Sequence, residues 1–452
     1  LQDRPIPDHG VGPEQALQTL GELAGWGAAD AAHPRCAGHL HTPPLAVAVA
    51  ADTLAAAINQ SLDSWDQAPA MTGLETEVVT ALGEMVYGPG AATSGVITTG
   101  GTESNLMGLL LARTAACRQV WGTDVMRRGL PGTAHRLRIY CSEAAHFSTQ
   151  RMAGIVGLGE DCVVAVPVDD HHRMRPDALR HALRAEADTR PLAVVATAGT
   201  TDAGAVDPLA DIAAIAHEHG CWLHVDAAYG GGVLFSDRLA PLLDGVAQAD
   251  SVALDLHKLG WQPTAAGVFL ARGAGALAPL ARQVAYLNPT DDEQAGYTSL
   301  LGHSLRTTRR PDVLKIAVTL RALGRSGLGA LVDRCHDLAR HAAARVDADP
   351  RLERALPVTL TSVVFRYPAG AHADVVNARI RRDLLSSGQA VVGRCEVGGE
   401  VWLKLTLLNP DATEADVEAL LDLVADTGAQ VAAHVAAHVA AEAAAQVAGE
   451  GA

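Results

Sequence analysis

A lysine stands directly after a histidine in SVALDLHKLGWQP, residues 251–263, where an alternating apolar run comes to its end. On a strand, Val252, Leu254 and Leu256 share one face, with Asp255 and His257 on the other. A lysine at the mouth of such a strand is costly unless it is solvated, paired, deprotonated or covalently modified. Lys258 is therefore either a solvated strand end or a nucleophile held in a pocket. The stretch TTGGTESN, residues 98–105, sets Gly100, Gly101 and Thr102 between a strand and a long helix. Glycine permits close backbone approach, and a helix N-terminus presents unpaired N–H groups. That is a phosphate cradle or an ordinary capped helix; it is neither a Walker loop nor GxGxxG.

In CWLHVDAAYGGG, residues 221–232, an apolar strand ends on Asp226. A carboxylate there caps a turn, or meets a ring nitrogen and keeps it protonated by charge pairing. Ala227 and Ala228 leave room for a flat ring. His146, in SEAAHFS, follows another strand end, and either stacks on such a ring or serves the structure. A phosphate cradle, a ring-nitrogen acid, a stacking histidine and a Schiff-base lysine are together the parts needed to hold pyridoxal 5′-phosphate.

These residues need a sheet that brings strand ends together. From about residue 73 to 282 short apolar strands alternate with helices: GVITTGG, LRIYCSE, CVVAVPV, PLAVVATAG, CWLHVDAAY and SVALDLH, with helical stretches such as DPLADIAAIAHEHG between them. That pattern predicts a mostly parallel sheet covered on both faces. Beyond DVLKIAVTLRALGRSG the character changes. VTLTSVVFRY, QAVVGRCEV and EVWLKLTLL read as antiparallel strands of a smaller α+β domain. The expected divisions are an N-terminal segment at 1–72, a large domain at 73–327, a small one at 328–428 and an Ala-rich helical tail at 429–452. In that tail His434 and His438 sit four apart, which reads as a solvated helix face before a metal site.

The totals exclude other classes. Thirty-five basic against 51 acidic residues give a net charge of −16, which argues against nucleic acid or an anionic membrane as partner. No apolar run approaches the roughly 20 residues of a membrane span. Seven scattered cysteines without a CxxC pair offer no zinc site or disulfide framework and suit a reducing, cytoplasmic compartment. The first residue, Leu1, is not methionine, so further residues are expected ahead of it, and no secretory leader is visible.

The order and spacing of HVDAAYGG, DLHKLGWQP and TTGGTESNL, supported by SWDQAPAMTGLE, TAGTTDAGAVDPL and LRTTRRPDVLK, resemble the group II pyridoxal-phosphate-dependent amino-acid decarboxylases. The resemblance spans about residues 34–410. It implies the aspartate-aminotransferase-like fold, fold type I, and decarboxylation of an L-amino acid by a homodimer with its site at the interface. It further implies Lys258 as the Schiff-base lysine, Asp226 on the pyridine nitrogen and His146 stacked on the ring. Thr102 with Gly100 and Gly101 would hold the phosphate, Thr200 and Ala228 would line the ring, and Asp255 and His257 would lie beside the Schiff base.

Two features differ from the aromatic members of that family. Where those carry a Tyr/Phe-rich wall, this chain has HPRCAGHLHTPPL, and aromatic residues are only 4% of it. His39 and His41 there suit a polar side chain or a structural role, and Thr72, Tyr297 and His303 join them as candidate substrate contacts. HLHTPP, SLDSWDQ and LRTTRR are more similar to bacterial diaminobutyrate, lysine and ornithine decarboxylases, so a short basic substrate is expected. Aromatic relatives also use a loop tyrosine as the α-carbon proton donor. Counting back from Arg309 puts Leu300 at that place, with Tyr297 and His303 three residues to either side. The alternatives are an aromatic or acidic substrate, or an oxidative decarboxylation that ends in an aldehyde. Cysteine desulfurases need a loop cysteine that YLNPTDDEQAGYTSLLGHS lacks, and regulators that keep the lysine carry a basic DNA-binding module absent here.

Overall fold

The computed structural model describes residues 6–185 and 188–450. Seven strands form the central sheet: β1 (Thr93–Thr98), β2 (Leu137–Ser142), β3 (Val163–Val166), β4 (Arg190–Thr197), β5 (Trp222–Ala227), β6 (Ser251–Asp255) and β7 (Gly267–Arg272). Their order across the sheet is β1-β7-β6-β5-β4-β2-β3. β2 through β6 run parallel, and β7 lies antiparallel between β1 and β6. The fold class expected from the sequence is the one observed. The pattern reading missed β7, because its flanks in PTAAGVFLARGAG are small residues that blur both strand ends.

Six consecutive residues of β4, Leu192–Thr197, are buried, and so are all five of β6. Strands covered on both faces read as continuous apolar runs, which is why they stood out in the sequence. One face packs on the helices Pro69–Tyr87 and Leu209–Glu218, and Leu109, Ala112 and Met152 help fill the other from the helices Gly101–Trp121 and Ser148–Ile155. Because the five strands are parallel, their carboxyl ends fall on one edge of the sheet, where open α/β folds place their ligands.

A second sheet, built from β8 (Glu353–Arg354), β9 (Ser362–Arg366), β10 (Gly393–Val397) and β11 (Glu400–Thr406), is antiparallel in the order β10-β11-β9-β8. It carries its own core with the helices Ala373–Ser386 and Glu414–Glu450. The expected boundary at 327/328 falls inside the helix Val313–Ala348, close to Gly324, whose φ of 65° interrupts the helical path. That at 428/429 falls inside Glu414–Glu450, which runs on without a break into the Ala-rich tail. There His438 pairs with Glu442, and no cluster of metal-ligating side chains occurs among the described residues. No helix among them is long and apolar enough to cross a membrane.

The N-terminal segment ties the two sheets together. Ala37 donates its N–H to Val391 and accepts from Thr406, while Leu45 donates to the carbonyl of Trp261. Trp261, fully buried, bonds the Leu408 carbonyl through Nε1 at 2.8 Å.

Candidate active site

Loops and helix ends at the carboxyl edge enclose a cavity of about 300 Å³, lined by residues including Gly100, Gly101, Thr102, His146, Asp226, Ala228, Asp255, His257 and Lys258. Stretches far apart in the chain thus converge on one place. Asp226 is the fifth residue of β5 and Asp255 the last of β6. Lys258 follows β6 by one turn, its side chain 19% exposed and its Nζ 3.1 Å from Asp255 Oδ2. It is no solvated strand end: a buried carboxylate holds it at the mouth of the cavity. His257 Nε2 lies 3.5 Å from the same oxygen, and its Nδ1 accepts the Ala266 N–H at 3.2 Å.

The glycines make the opposite wall. Gly100, at φ 151°, caps the helix Gly101–Trp121 with no side-chain hydrogen bond. A Cβ on Gly101 would stand 2.8 Å from Ala228 Cβ, and one on Gly267 would stand 2.5 Å from Gly100 Cα. No side chain fits there, so the first N–H groups of a 21-residue helix open directly into the cavity. The loop is held by Glu103, which accepts from the Thr99 N–H at 2.6 Å and its hydroxyl at 2.8 Å. Glu103 in turn pairs with Arg306 at 2.9 Å.

Asp226 accepts from the Ala228 N–H at 3.1 Å and from Asn105 Nδ2 at 2.8 Å. His146 faces it across the cavity, with Nδ1 2.9 Å from Ser148 Oγ. Burial, the leading cause, lowers the pKa of His146 and of His257 below the usual histidine value, so both are neutral rings near neutral pH.

Pyridoxal 5′-phosphate fits what these residues offer. A helix N-terminus stripped of side chains suits a phosphate, and Asp226 suits a ring nitrogen. Lys258 supplies the amine. Two buried polar atoms on the cavity wall, Asp255 Oδ1 and Thr197 Oγ1, have no hydrogen-bond partner among the described residues, which is the mark of a wall waiting for a polar ligand.

Other candidates lie elsewhere. Thr200 lines the adjoining cavity, and its hydroxyl accepts the Ala205 N–H; Thr197, Gly199 and Thr201 face the site in its stead. His39 and His41 are exposed on either side of Leu40, which does line the cavity. Thr72 is buried within the helix Pro69–Tyr87. Tyr297 packs on Trp65 with ring centroids 6.1 Å apart, and His303 borders a separate cavity. Asn105, Ser148 and Glu103 escaped the sequence reading. Their signal was polar residues at helix positions that the apolar pattern marks as inward.

A family model described as the pyridoxal-dependent decarboxylase conserved domain matches residues 14–368. An L-2,4-diaminobutyrate decarboxylase of Rhizobium meliloti (strain 1021) is 41% identical over 425 residues, covering 93% of this chain and 83% of the relative. The solved glutamate decarboxylase domain of diaminobutyrate-pyruvate transaminase and L-2,4-diaminobutyrate decarboxylase from Vibrio parahaemolyticus superposes with a TM-score of 0.84 at 34% identity, over 94% of this chain and 88% of that one. Oryza sativa TDC with PLP and tryptamine superposes at 0.87 with 26% identity, over 94% and 90%.

Proposed function

The chain belongs to the pyridoxal-dependent decarboxylase family, and we propose that within it the protein acts on a short basic amino acid, 2,4-diaminobutyrate ahead of ornithine and lysine. The reaction class is decarboxylation of an L-amino acid to its amine and CO2, with pyridoxal 5′-phosphate as cofactor. When bound, the cofactor supplies a conjugated ring with a cationic nitrogen that takes up the electron pair of the breaking C–CO2 bond.

The chain's own residues prepare that event. The N-terminus of the helix Gly101–Trp121 with Thr102 would hold the phosphate, and Lys258 would bind the cofactor covalently through Nζ. The Asp226 carboxylate would hold a proton at the ring nitrogen. His146, neutral because it is buried, would cover the ring face without adding charge that opposes the one Asp226 pairs with. Asp255 keeps Nζ oriented into the cavity until it is engaged. The small residues Ala228 and Gly199 leave the ring's width free.

For the substrate, the carrying observation is the 41% identity to a diaminobutyrate decarboxylase across nearly the whole chain. Among the described residues that line the cavity Tyr229 is the one Phe, Tyr or Trp, which supports it, since an indole or phenol ring would find little to stack on. Measured kcat/KM over diaminobutyrate, ornithine, lysine, tyrosine, glutamate and aspartate tests it. Unmade pocket hydrogen bonds discriminate by about 10⁴ or more, so the preference is expected to be large. Equal rates on diaminobutyrate and tyrosine, or a preference for glutamate, would overturn the reading. Amine and CO2 in equal amounts, without peroxide or ammonia, is the expected stoichiometry.

The working unit is inferred to be a homodimer. In the helix Pro13–Gly27 no residue is buried, and Leu17, Leu20, Leu23 and Trp26 are 76, 49, 45 and 89% exposed. An apolar helix face of that size calls for cover, and a second copy brings the same helix to the same need. Sedimentation of an active monomer at assay concentration would refute this. A cytoplasmic location accords with seven cysteines that are all unpaired.

A further inference from the structure

Beneath Asp226 the hydrogen bonds continue into the protein. Asn105 Oδ1 lies 2.9 Å from His224 Nε2, His224 Nδ1 lies 2.8 Å from Ser251 Oγ, and Trp222 Nε1 reaches that same hydroxyl at 2.8 Å. On its other side Asn105 Nδ2 reaches Ser148 Oγ at 3.1 Å. Asn105, His224 and Ser251 are buried to 2, 0 and 0% exposure. A Cβ on Gly108 would stand 2.6 Å from His224 Nδ1, so a glycine in the helix Gly101–Trp121 is what lets it close down on this histidine.

The direction of every bond follows from chemistry. An indole N–H can only donate, so Ser251 Oγ accepts from Trp222, and with the one His224 hydrogen on Nε2 the Ser251 hydroxyl donates to His224 Nδ1. Burial pushes His224 down to about 4, so the ring is neutral and its one hydrogen sits on Nε2, directed at Asn105 Oδ1. The amide cannot be turned over, because its oxygen would then face a carboxylate oxygen of Asp226. Its two hydrogens therefore go to Asp226 Oδ2 and Ser148 Oγ. The Ser148 hydroxyl, like the Ser148 N–H, then donates to His146 Nδ1, which leaves the His146 proton on Nε2.

We propose that Asn105 is a positioning residue that fixes the acid beneath the cofactor ring and the histidine above it together, through one amide group. This rests on the pyridoxal-phosphate reading of the site. The Asn105 amide donates to one carboxylate oxygen of Asp226 and the Ala228 N–H to the other, so the plane of the carboxylate is fixed where it meets the ring nitrogen. The amide is neutral, and so are the groups behind it, so none competes with that nitrogen for the Asp226 charge. The titratable groups around Asp226 are His146, His224, Asp255, His257, Lys258, Tyr229 and Glu103, with Lys258 paired to Asp255 and Glu103 to Arg306.

The test uses holoenzyme loaded with cofactor carrying ¹⁵N in the pyridine ring. Wild type is expected to show the protonated-nitrogen signal across the stable pH range. Asn105→Ala is expected to move that signal toward the unprotonated position and to lower kcat about tenfold, the equivalent of one pKa unit at that nitrogen, with KM changed less than about twofold. Ser148→Ala cuts only the branch to His146 and is expected to leave the nitrogen signal in place. Should Asn105→Ala not fold, Asn105→Ser keeps one donor and is expected to give an intermediate signal. A wild-type signal in the Asn105 variant that folds, or an equal shift in Ser148→Ala, overturns the proposal. A wild type with no bound cofactor or no protonated nitrogen would instead overturn the reading on which it rests.

Discussion

Beneath Asp226 a run of buried side chains hands hydrogen bonds to one another with almost no solvent reaching them, whereas the segment from Tyr286 to Thr308 leaves Tyr286 81% and Tyr297 49% exposed. The floor is assembled from three regular elements, β5, β6 and the helix Gly101–Trp121, and each of its donors has an acceptor. The segment has two short helical pieces, Thr290–Gln294 and Leu301–His303, and is fastened firmly at its far end. There Arg306 holds Glu103, and the buried Arg309 holds Glu75 at 2.7 Å and bonds the Ile97 carbonyl at 3.4 Å. A cofactor that stays through every turnover suits a fixed floor. A substrate that enters and leaves suits an edge that can open, and this segment is tied at Arg306 to Glu103 beside the cradle.

Replacing the chemistry itself should break the contrast most completely. Lys258→Ala is expected to keep the fold and reduce turnover to background, and borohydride should fix cofactor on Lys258 in wild type. Label on another lysine would refute the assignment. Next in size is the anchor. Arg309→Met leaves Glu75 buried without its cation, where burial already pushes that carboxyl up, and removing one partner of such a pair costs about 3–5 kcal/mol. Urea unfolding should register it; a loss under 1 kcal/mol would show that the anchor is not structural.

Asp226→Asn tests the floor at its working end. It should lower kcat roughly 10²-fold or more, the scale of losing one preorganised electrostatic partner, and near-normal turnover would make Asp226 structural only. The floor also carries a pH signature. His224 is held down to about 4 by burial, against 6.5 for a free histidine. The unfolded chain thus takes up a proton that the native state refuses, so stability is complete above about pH 6.5 and falls as the pH drops toward 4. His224 accounts for on the order of 2–3 kcal/mol of that fall. Unfolding midpoints that stay level between pH 7 and 4.5 would contradict it. The smallest effect belongs to the exposed segment. Limited proteolysis should cut first within residues 283–298 and more slowly when substrate is present, and first cleavage elsewhere would deny it the role of a lid.

Much of the cofactor end was legible in the sequence, because each piece is contiguous: HVDAA ends a strand, DLHK ends another, and TTGGT joins a strand to a helix. Strand-end chemistry and glycine punctuation are local signals. Asn105 and His224 were not legible, since a polar residue on a buried face says only that it needs a partner. The partner is set by where a helix crosses a sheet. Thr200 was placed on the ring and lies in the next cavity, since a turn closed by the Ala205 N–H brings Thr197 and Thr201 to the site in its stead. His39 and His41 share a stretch with Leu40, yet only Leu40 faces inward, which no period in a loop could reveal.

The sequence by itself determined the alternation of strand and helix, the strand ends that carry Asp226, Asp255 and Lys258, and the side-chain-free approach at Gly100 and Gly101. Those follow from burial period and backbone freedom, which act over a few residues. The tertiary structure alone decided that β7 turns antiparallel into the sheet, and that Lys258 is held by Asp255. It alone decided that the Asn105 amide reaches both Asp226 and Ser148, the partner of His146. Such facts depend on groups far apart in the chain meeting within hydrogen-bond reach, as Asn105 and Asp226 do across 121 residues, and only the packing of the elements on one another fixes that distance.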